Sequence, residues 1–396
     1  MEPALARCVG DVERFLAHHW SRAPLHRPGA APDSYADLLS LEGVDHLIST
    51  FPRQPAFRLV RDGKPLDPSS YTRPARLGGK AISDVGDTAR IYEEFHAGAT
   101  IVLQGLHRYW PPITGFCRDL ELTLTHPAQA NAYVTPPSSR GLSVHHDTHD
   151  VFVLQLSGSK EWAVHEPVVE LPLPSQRWSS HMGDPGEPVL SVELEPGDCL
   201  YIPRGFPHSA RSRQEVTAHL TVGVLTYTWY DVVRDVVTGV ADDVELRRSL
   251  PVGFAHDEDA LATEVTIQVE RLREWLEKVN PAVVAKEVSR NFWSRRWPLL
   301  TGQLGQLMAL DQLDDATLVR RRPGSICRLE LGPDGLACLL GDRELAMPAA
   351  LESVMRWVAE AGPFRVGDLA EHLDQPSRLV LVRRLVREGL LETVPG

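Results

Sequence analysis

Residues 139–165 read SRGLSVHHDTHDVFVLQLSGSKEWAVH, and residues 196–210 read PGDCLYIPRGFPHSA. In the first stretch His145 and Asp147 stand two apart at the head of an apolar run; in the second, a Pro-Gly-Asp turn precedes a strand pattern that ends on His208. Two imidazoles and one carboxylate on neighbouring strands form the 2-His-1-carboxylate set. That set grips Fe(II) by one face and leaves the remaining positions open for co-substrate and dioxygen. Strand alternation predicts His145 and Asp147 on one face and His146 on the other. His145, Asp147 and His208 are therefore the expected metal ligands.

Working outward from these stretches, short apolar or alternating runs recur through residues 91–230. ATIVLQG, LTLTHP, ANAYVTP, DVFVLQLSG, KEWAVHEP, VLSVELEPGD, CLYIPRG and TAHLTVGVLTYTWY each read as a strand, separated by Gly, Pro, Asn and Asp. Eight strands at this spacing predict an α+β protein built on a double-stranded β-helix, the jelly-roll barrel of cupin type. Residues 1–90, with a short helical pattern from Asp11 to Trp20 and loops rich in Pro and Arg, are expected to pack on that barrel as an extension.

Past residue 230 the apolar period changes from two to 3.6. Amphipathic helices are predicted over 230–248, 258–279 and 281–296. They form a helical segment, 231–310, that repeats apolar positions at Val233, Val237, Leu272, Trp275 and Val279. From 311 to 396 come two strands joined through Pro-Asp-Gly (SICRLELGPDGLACLLGDRELAM) and three helical stretches. Helices around a hairpin suggest a winged-helix domain.

Composition removes several classes. The chain has 396 residues, 43% hydrophobic and 24% charged, with a net charge of −12. No global basic field speaks for nucleic acid or an anionic membrane, although Arg378, Arg383, Arg384 and Arg387 line the last helical stretch. The apolar runs are too short to span a bilayer. The opening MEPALARCVGDVERF carries charges where a signal peptide needs an apolar stretch. The five cysteines (Cys8, Cys117, Cys199, Cys327, Cys338) make no CxxC pair, which fits free thiols in a reducing cytoplasm.

The bare spacing of His145 and Asp147 proves little, since a chain with 16 histidines shows it about once by chance. His372-Leu373-Asp374 repeats it inside a helical pattern with no later histidine, and His256-Asp257 sits in an acidic loop. Lysine supplies the discrimination. Only Lys64, Lys80, Lys160, Lys278 and Lys286 occur, against 36 arginines. Lys160 lies at the far end of the strand that leaves the triad, where a cation would receive the distal carboxylate of a metal-bound 2-oxo acid.

FHAGATIVLQGL, NAYVTPPSSRGLSVHHDTHDVFVLQLSGSKEW and PGDCLYIPRGFPHSAR together resemble the Jumonji-C (JmjC) oxygenases, most closely the ribosomal-oxygenase branch of protein hydroxylases. The detailed likeness covers roughly residues 90–225, and the order of barrel, helical segment and winged helix extends it loosely over the chain. The resemblance implies Fe(II) held by His145, Asp147 and His208, and 2-oxoglutarate as co-substrate with Lys160 on its distal carboxylate. Asn131, Tyr133, His219 and Thr221 match positions that line the co-substrate pocket. No catalytic residue beyond the metal ligands is implied.

Two positions depart from the pattern. His146 stands where relatives carry an aromatic residue, and Gly223 where they often carry serine near the co-substrate. The family further implies a homodimer built through the helical segment. It also implies a protein substrate, ribosomal and modified on histidine or arginine. A tailoring oxygenase acting on a peptide or small metabolite is the alternative, with N-methyl demethylation a weaker one. A non-enzymatic binding module with a vestigial barrel is disfavoured by the intact triad and Lys160. Arg140, His146, His149, Arg204 and Trp229 are the expected rim, and they do not choose the substrate.

Overall fold

The computed structural model describes residues 2–50, 52–139 and 143–394. Two compact units divide the chain, Met1–Thr226 and Tyr227–Gly396. In the first, strands run Leu25–Arg27 (β1), Phe57–Arg61 (β2), Lys64–Pro65 (β3), Thr72–Leu77 (β4), Lys80–Gly86 (β5), Thr100–Leu103 (β6) and Ala128–Thr135 (β7). There follow Asp150–Ser157 (β8), Lys160–His165 (β9), Pro188–Leu194 (β10), Cys199–Ile202 (β11), His208–Ser212 (β12) and Thr217–Val224 (β13).

Two sheets make the barrel. The larger has the order β1-β11-β8-β13-β7-β6-β2-β3, and the smaller β10-β9-β12; β4 and β5 form a separate hairpin. β8 explains how they pack. Its Val151 and Val153 join Trp162, Val164, Leu194, Leu200 and Ile202 in a cluster between the sheets. Its Phe152 and Leu154 face the other way, into a core shared with Leu5, Phe15, Phe116 and Leu120 of the flanking helices. A strand covered on both faces reads as an unbroken apolar run, which is why VFVLQL does not alternate.

The N-terminal residues are part of the larger sheet itself. Leu25 pairs with Tyr201, and Phe57 with Leu103. Both ends of the barrel sheet are thereby extended.

Three expectations need correction. LTLTHP is no strand: Leu122–Leu124 ends the helix Pro111–Leu124, whose Ile113, Phe116, Cys117 and Leu120 are buried at helical spacing. Burial of that stripe overrides the Leu/Thr alternation. The run TAHLTVGVLTYTWY stops being strand at Val224, because Thr228 caps a helix, Trp229–Thr238, through a capping box with Asp231. Finally, His145 does not open a strand. It makes one isolated bridge, to His208, and regular pairing begins only at Asp150; His208 in turn starts β12 rather than ending a strand.

The second unit begins with Trp229–Thr238, Glu258–Leu276 and Pro281–Trp293. Among the described residues the first two helices bury no side chain, and the third buries only Phe292. Further on are Leu318–Arg321 (β14), Arg328–Gly332 (β15), Gly335–Leu339 (β16), Glu344–Met347 (β17), Phe364–Arg365 (β18) and Leu391–Thr393 (β19). β14 pairs with β18 and β19, while β15, β16 and β17 form a second small sheet. The expected hairpin thus gains a third strand. Of the three expected C-terminal helices, Glu352–Glu360 and Gln375–Arg387 are α-helical, whereas Val366–Glu371 is a 3-10 segment. Among the described residues no helix is long and apolar enough to cross a membrane.

Candidate metal centre

The bridge that replaces a strand is what brings the three ligands together. His145 N–H donates to the His208 carbonyl at 3.2 Å, and His208 N–H returns the bond at 2.8 Å. Asp147 is tied through its backbone, its carbonyl accepting from Gly205 N–H at 2.9 Å. One ligand atom from each of His145, Asp147 and His208 lies within 4.8 Å of the others, the span a single ion would bridge.

The imidazoles are oriented by their own chain. His145 Nδ1 lies 2.7 Å from the Ser143 carbonyl, and His208 Nδ1 lies 3.0 Å from the Phe206 carbonyl. A carbonyl only accepts, so both protons sit on Nδ1 and both Nε2 lone pairs are left for a ligand. Burial pushes the His208 ring down to about 4, with His145 beside it acting in the same direction. At Asp147 burial opposes ionisation, but the imidazoles of His208, His149 and His145, as they take up protons on acidification, more than offset it and hold the carboxyl below its usual range. A neutral His208 and an ionised Asp147 are the states in which these groups bind a divalent cation.

The same cavity runs inward from the ligands past Tyr133, Val151, Val153, Lys160, Trp162, His219 and Thr221. Lys160 is 2% exposed, and its Nζ donates to Thr135 Oγ1 at 3.1 Å; Thr100 Oγ1 donates to Thr135 in turn, at 3.2 Å. Burial alone pushes the Lys160 amine down to about 7. His219 stacks on Tyr133 with ring centroids 4.9 Å apart, and Trp162 meets His219 edge-on at 5.4 Å. Burial, then the Lys160 charge, drives the His219 ring well below its ordinary range.

Among the described residues His219 Nδ1 and Trp162 Nε1 are buried without a protein partner, and Lys160 has donors to spare. Buried polar atoms in this state call for an oxygen-rich ligand. The donor set thus fits a divalent metal and an anionic co-substrate in one cavity.

Of the residues expected from sequence, His145, Asp147, His208, Lys160, Tyr133, His219 and Thr221 line this one cavity. Asn131 does not line the cavity but stands behind it: its Oδ1 accepts from Gly105 N–H at 3.0 Å, tying β7 to the turn after β6, and its side chain also hydrogen-bonds to Tyr133, which does line it. His146 is no rim residue. It is 4% exposed, with Nε2 against the Gln176 carbonyl at 3.0 Å and its ring edge-on to Trp178. Arg140 lies outside the described residues, and Trp229 belongs to the second unit. Thr135 and Trp162 were missed, although each lies two residues beyond an expected pocket residue, Tyr133 and Lys160, on the same strand face.

A jelly-roll barrel with a 2-His-1-carboxylate centre at its mouth defines a cupin-type metalloprotein. Within that class, residues 114–232 match the JmjC domain family. The matched segment is a JmjC domain, and the chain is similar to the ribosomal oxygenases. It is 30% identical over 286 residues to ribosomal oxygenase 1 of Gallus gallus, covering 67% of this chain and 45% of that one. With the Rattus norvegicus protein of the same name the identity is 36% over 258 residues, 61% of this chain and 41% of the relative. The chain spans less than half the length of these curated relatives.

Among solved structures, the Escherichia coli ribosomal oxygenase YcfD aligns over 98% of this chain and 99% of its own, at a TM-score of 0.55 and 21% identity. That shared fold also occurs in a YcfD structure described as a complex with cobalt and 2-oxoglutarate (TM-score 0.54, 20% identity, 97% and 98% covered).

Proposed function

We propose that this chain is an Fe(II)- and 2-oxoglutarate-dependent oxygenase that hydroxylates a C–H bond of a protein side chain, histidine or arginine of a ribosomal protein. One observation carries the reading: the three-ligand cluster and a fully buried lysine share a single cavity. Bound iron supplies dioxygen activation coupled to oxidative decarboxylation of 2-oxoglutarate to succinate and carbon dioxide, with hydroxyl delivered to the substrate.

The chain's own residues do the rest. His145, Asp147 and His208 hold the ion, and their two imidazoles and one carboxylate leave it a residual positive charge. Lys160 receives the distal carboxylate of the co-substrate as a point charge, and Thr135 keeps its amine aimed into the cavity. Tyr133, Trp162 and His219 form an aromatic wall that excludes water from the bound acid. No side chain is required as a general acid or base.

The ribosomal substrate rests on the curated relatives, named as ribosomal oxygenases, and on a Drosophila persimilis relative named as a bifunctional lysine-specific demethylase and histidyl-hydroxylase (26% identical over 247 residues, 60% of this chain and 34% of that one). Such a substrate would be met in the cytoplasm. Apolar side chains left exposed in the helical segment, Val233, Val265, Ile267 and Val269 among them, support a homodimer through residues 231–310. The C-terminal domain, 311–396, is read as a winged helix.

The direct test is succinate formation from 2-oxoglutarate by the purified chain with Fe(II) and ascorbate. Mass spectrometry of ribosomal proteins from cells with and without the protein then looks for a gain of one oxygen. No succinate from wild type sinks the enzyme reading. Turnover with unchanged ribosomal proteins shifts the substrate to a peptide or small metabolite, and light scattering at micromolar concentration decides the dimer.

A further inference from the structure

The segment that carries His145 and Asp147 lacks the ladder that holds a strand in place. It has one bridge, to His208, and the next regular pairing starts at Asp150. Ligand atoms must be held to within a fraction of an ångström for tight metal binding, so the ends of this segment need other supports. Both ends rest against a glycine.

At the leading end the turn between β2 and β3 presses on Ser143. Gly63 has φ +76°, and a Cβ built on it would lie 2.8 Å from the Ser143 backbone nitrogen and 2.9 Å from its Cβ. Ser143 is the residue whose carbonyl takes the His145 Nδ1 proton. At the trailing end the His149 ring lies over β13. A Cβ on Gly223 would come within 2.6 Å of both Cδ2 and Nε2 of His149, while its other neighbour, Gln129, is at an ordinary 3.5 Å. Glycine inside a strand is a cost unless something approaches the backbone closely. Here the imidazole does, and a serine at 223 would collide with it.

We infer that Gly63 and Gly223 are positioning residues for the metal centre, two seats that hold the ends of the ligand segment 143–149. This rests on the metal-centre reading above. Gly63 lies outside the region that matches the JmjC domain, so the centre depends on a turn of the N-terminal hairpin as well as on the barrel.

Cobalt(II) titration of the metal-free protein, followed by its visible absorption, reads ligand geometry without turnover. Gly63→Ala and Gly223→Ala should each raise the cobalt Kd roughly ten- to a hundredfold, as loss of a supporting contact does, with far-ultraviolet circular dichroism unchanged. In a His149→Ala background Gly223→Ala should change the Kd less than about twofold, because the colliding ring is gone. Wild-type affinity in both single variants overturns the inference, and so does an equal Gly223→Ala effect with and without His149. If Gly63→Ala does not fold, the Gly223/His149 cycle decides alone. A wild-type chain that binds no cobalt overturns the metal centre itself, a result distinct from variants that merely match a binding wild type.

Discussion

His145 and Asp147 share their spacing with His372 and Asp374, yet the two pairs have opposite surroundings. Around the first, an antiparallel bridge delivers a third ligand, His208, and the Ser143 and Phe206 carbonyls fix the ring protons. Around the second, His372 is exposed at the end of a 3-10 segment, and Asp374 Oδ1 accepts from Ser377 N–H at 2.9 Å, capping the helix Gln375–Arg387. One carboxylate is surrounded by imidazoles; the other satisfies a helix terminus. The same two letters serve coordination in one place and capping in the other, and what separates them is the backbone that passes opposite.

That contrast can be broken by exchange of roles. Asp147→Ala removes the only anionic ligand and should abolish both cobalt binding and succinate formation, whereas Asp374→Ala should leave turnover at wild-type level. Equal losses in the two variants, measured side by side, would put the centre elsewhere. Lys160→Ala comes next. Loss of a buried charge partner should weaken 2-oxoglutarate binding roughly a hundredfold or more, with cobalt affinity nearly unchanged; calorimetric titration separates the two.

The pH dependence of co-substrate binding is a smaller effect with a definite sign. The Lys160 amine, pushed down to about 7 by burial, must be protonated to pair with a carboxylate. Above that pH the free protein has lost the proton, so affinity should fall as pH rises, by up to about tenfold per unit. A flat Kd between about pH 6 and about pH 9 would remove Lys160 from the carboxylate. The smallest effect belongs to the second pair: Asp374→Ala should lower Tm by no more than about 3 °C through the lost cap, and His372→Ala by less.

The grouping of His145, Asp147 and His208 with Lys160 in one cavity was legible because extended backbone returns every second side chain to the same face, so that spacing in sequence becomes direction in space. The helices Glu258–Leu276 and Pro281–Trp293 were legible for the same reason at period 3.6. What sequence alone did not disclose depends on long-range approach. Nothing near His145 says that its strand shrinks to one bridge. Asn131 shares a face with Tyr133, yet it supports that ring from behind instead of lining the cavity, its Oδ1 taken by Gly105 and its side chain bonded to Tyr133, partners only the fold reveals. LTLTHP alternates like a strand, but the buried stripe of the preceding residues carries the helix through it. The seat at Gly223 was visible only as a departure from the family pattern, because His149 had to be placed before the glycine had a reason.

Lys160 has a chemical consequence beyond charge. An amine pushed down to about 7 is in large part unprotonated near neutral pH, and an unprotonated amine is a nucleophile. The other four lysines are exposed to solvent. An acylating reagent small enough to enter the barrel would therefore mark Lys160 out of proportion to its accessibility, and a bound dicarboxylate would shield it. The modification rate of one side chain then becomes a direct meter of whether the barrel is filled.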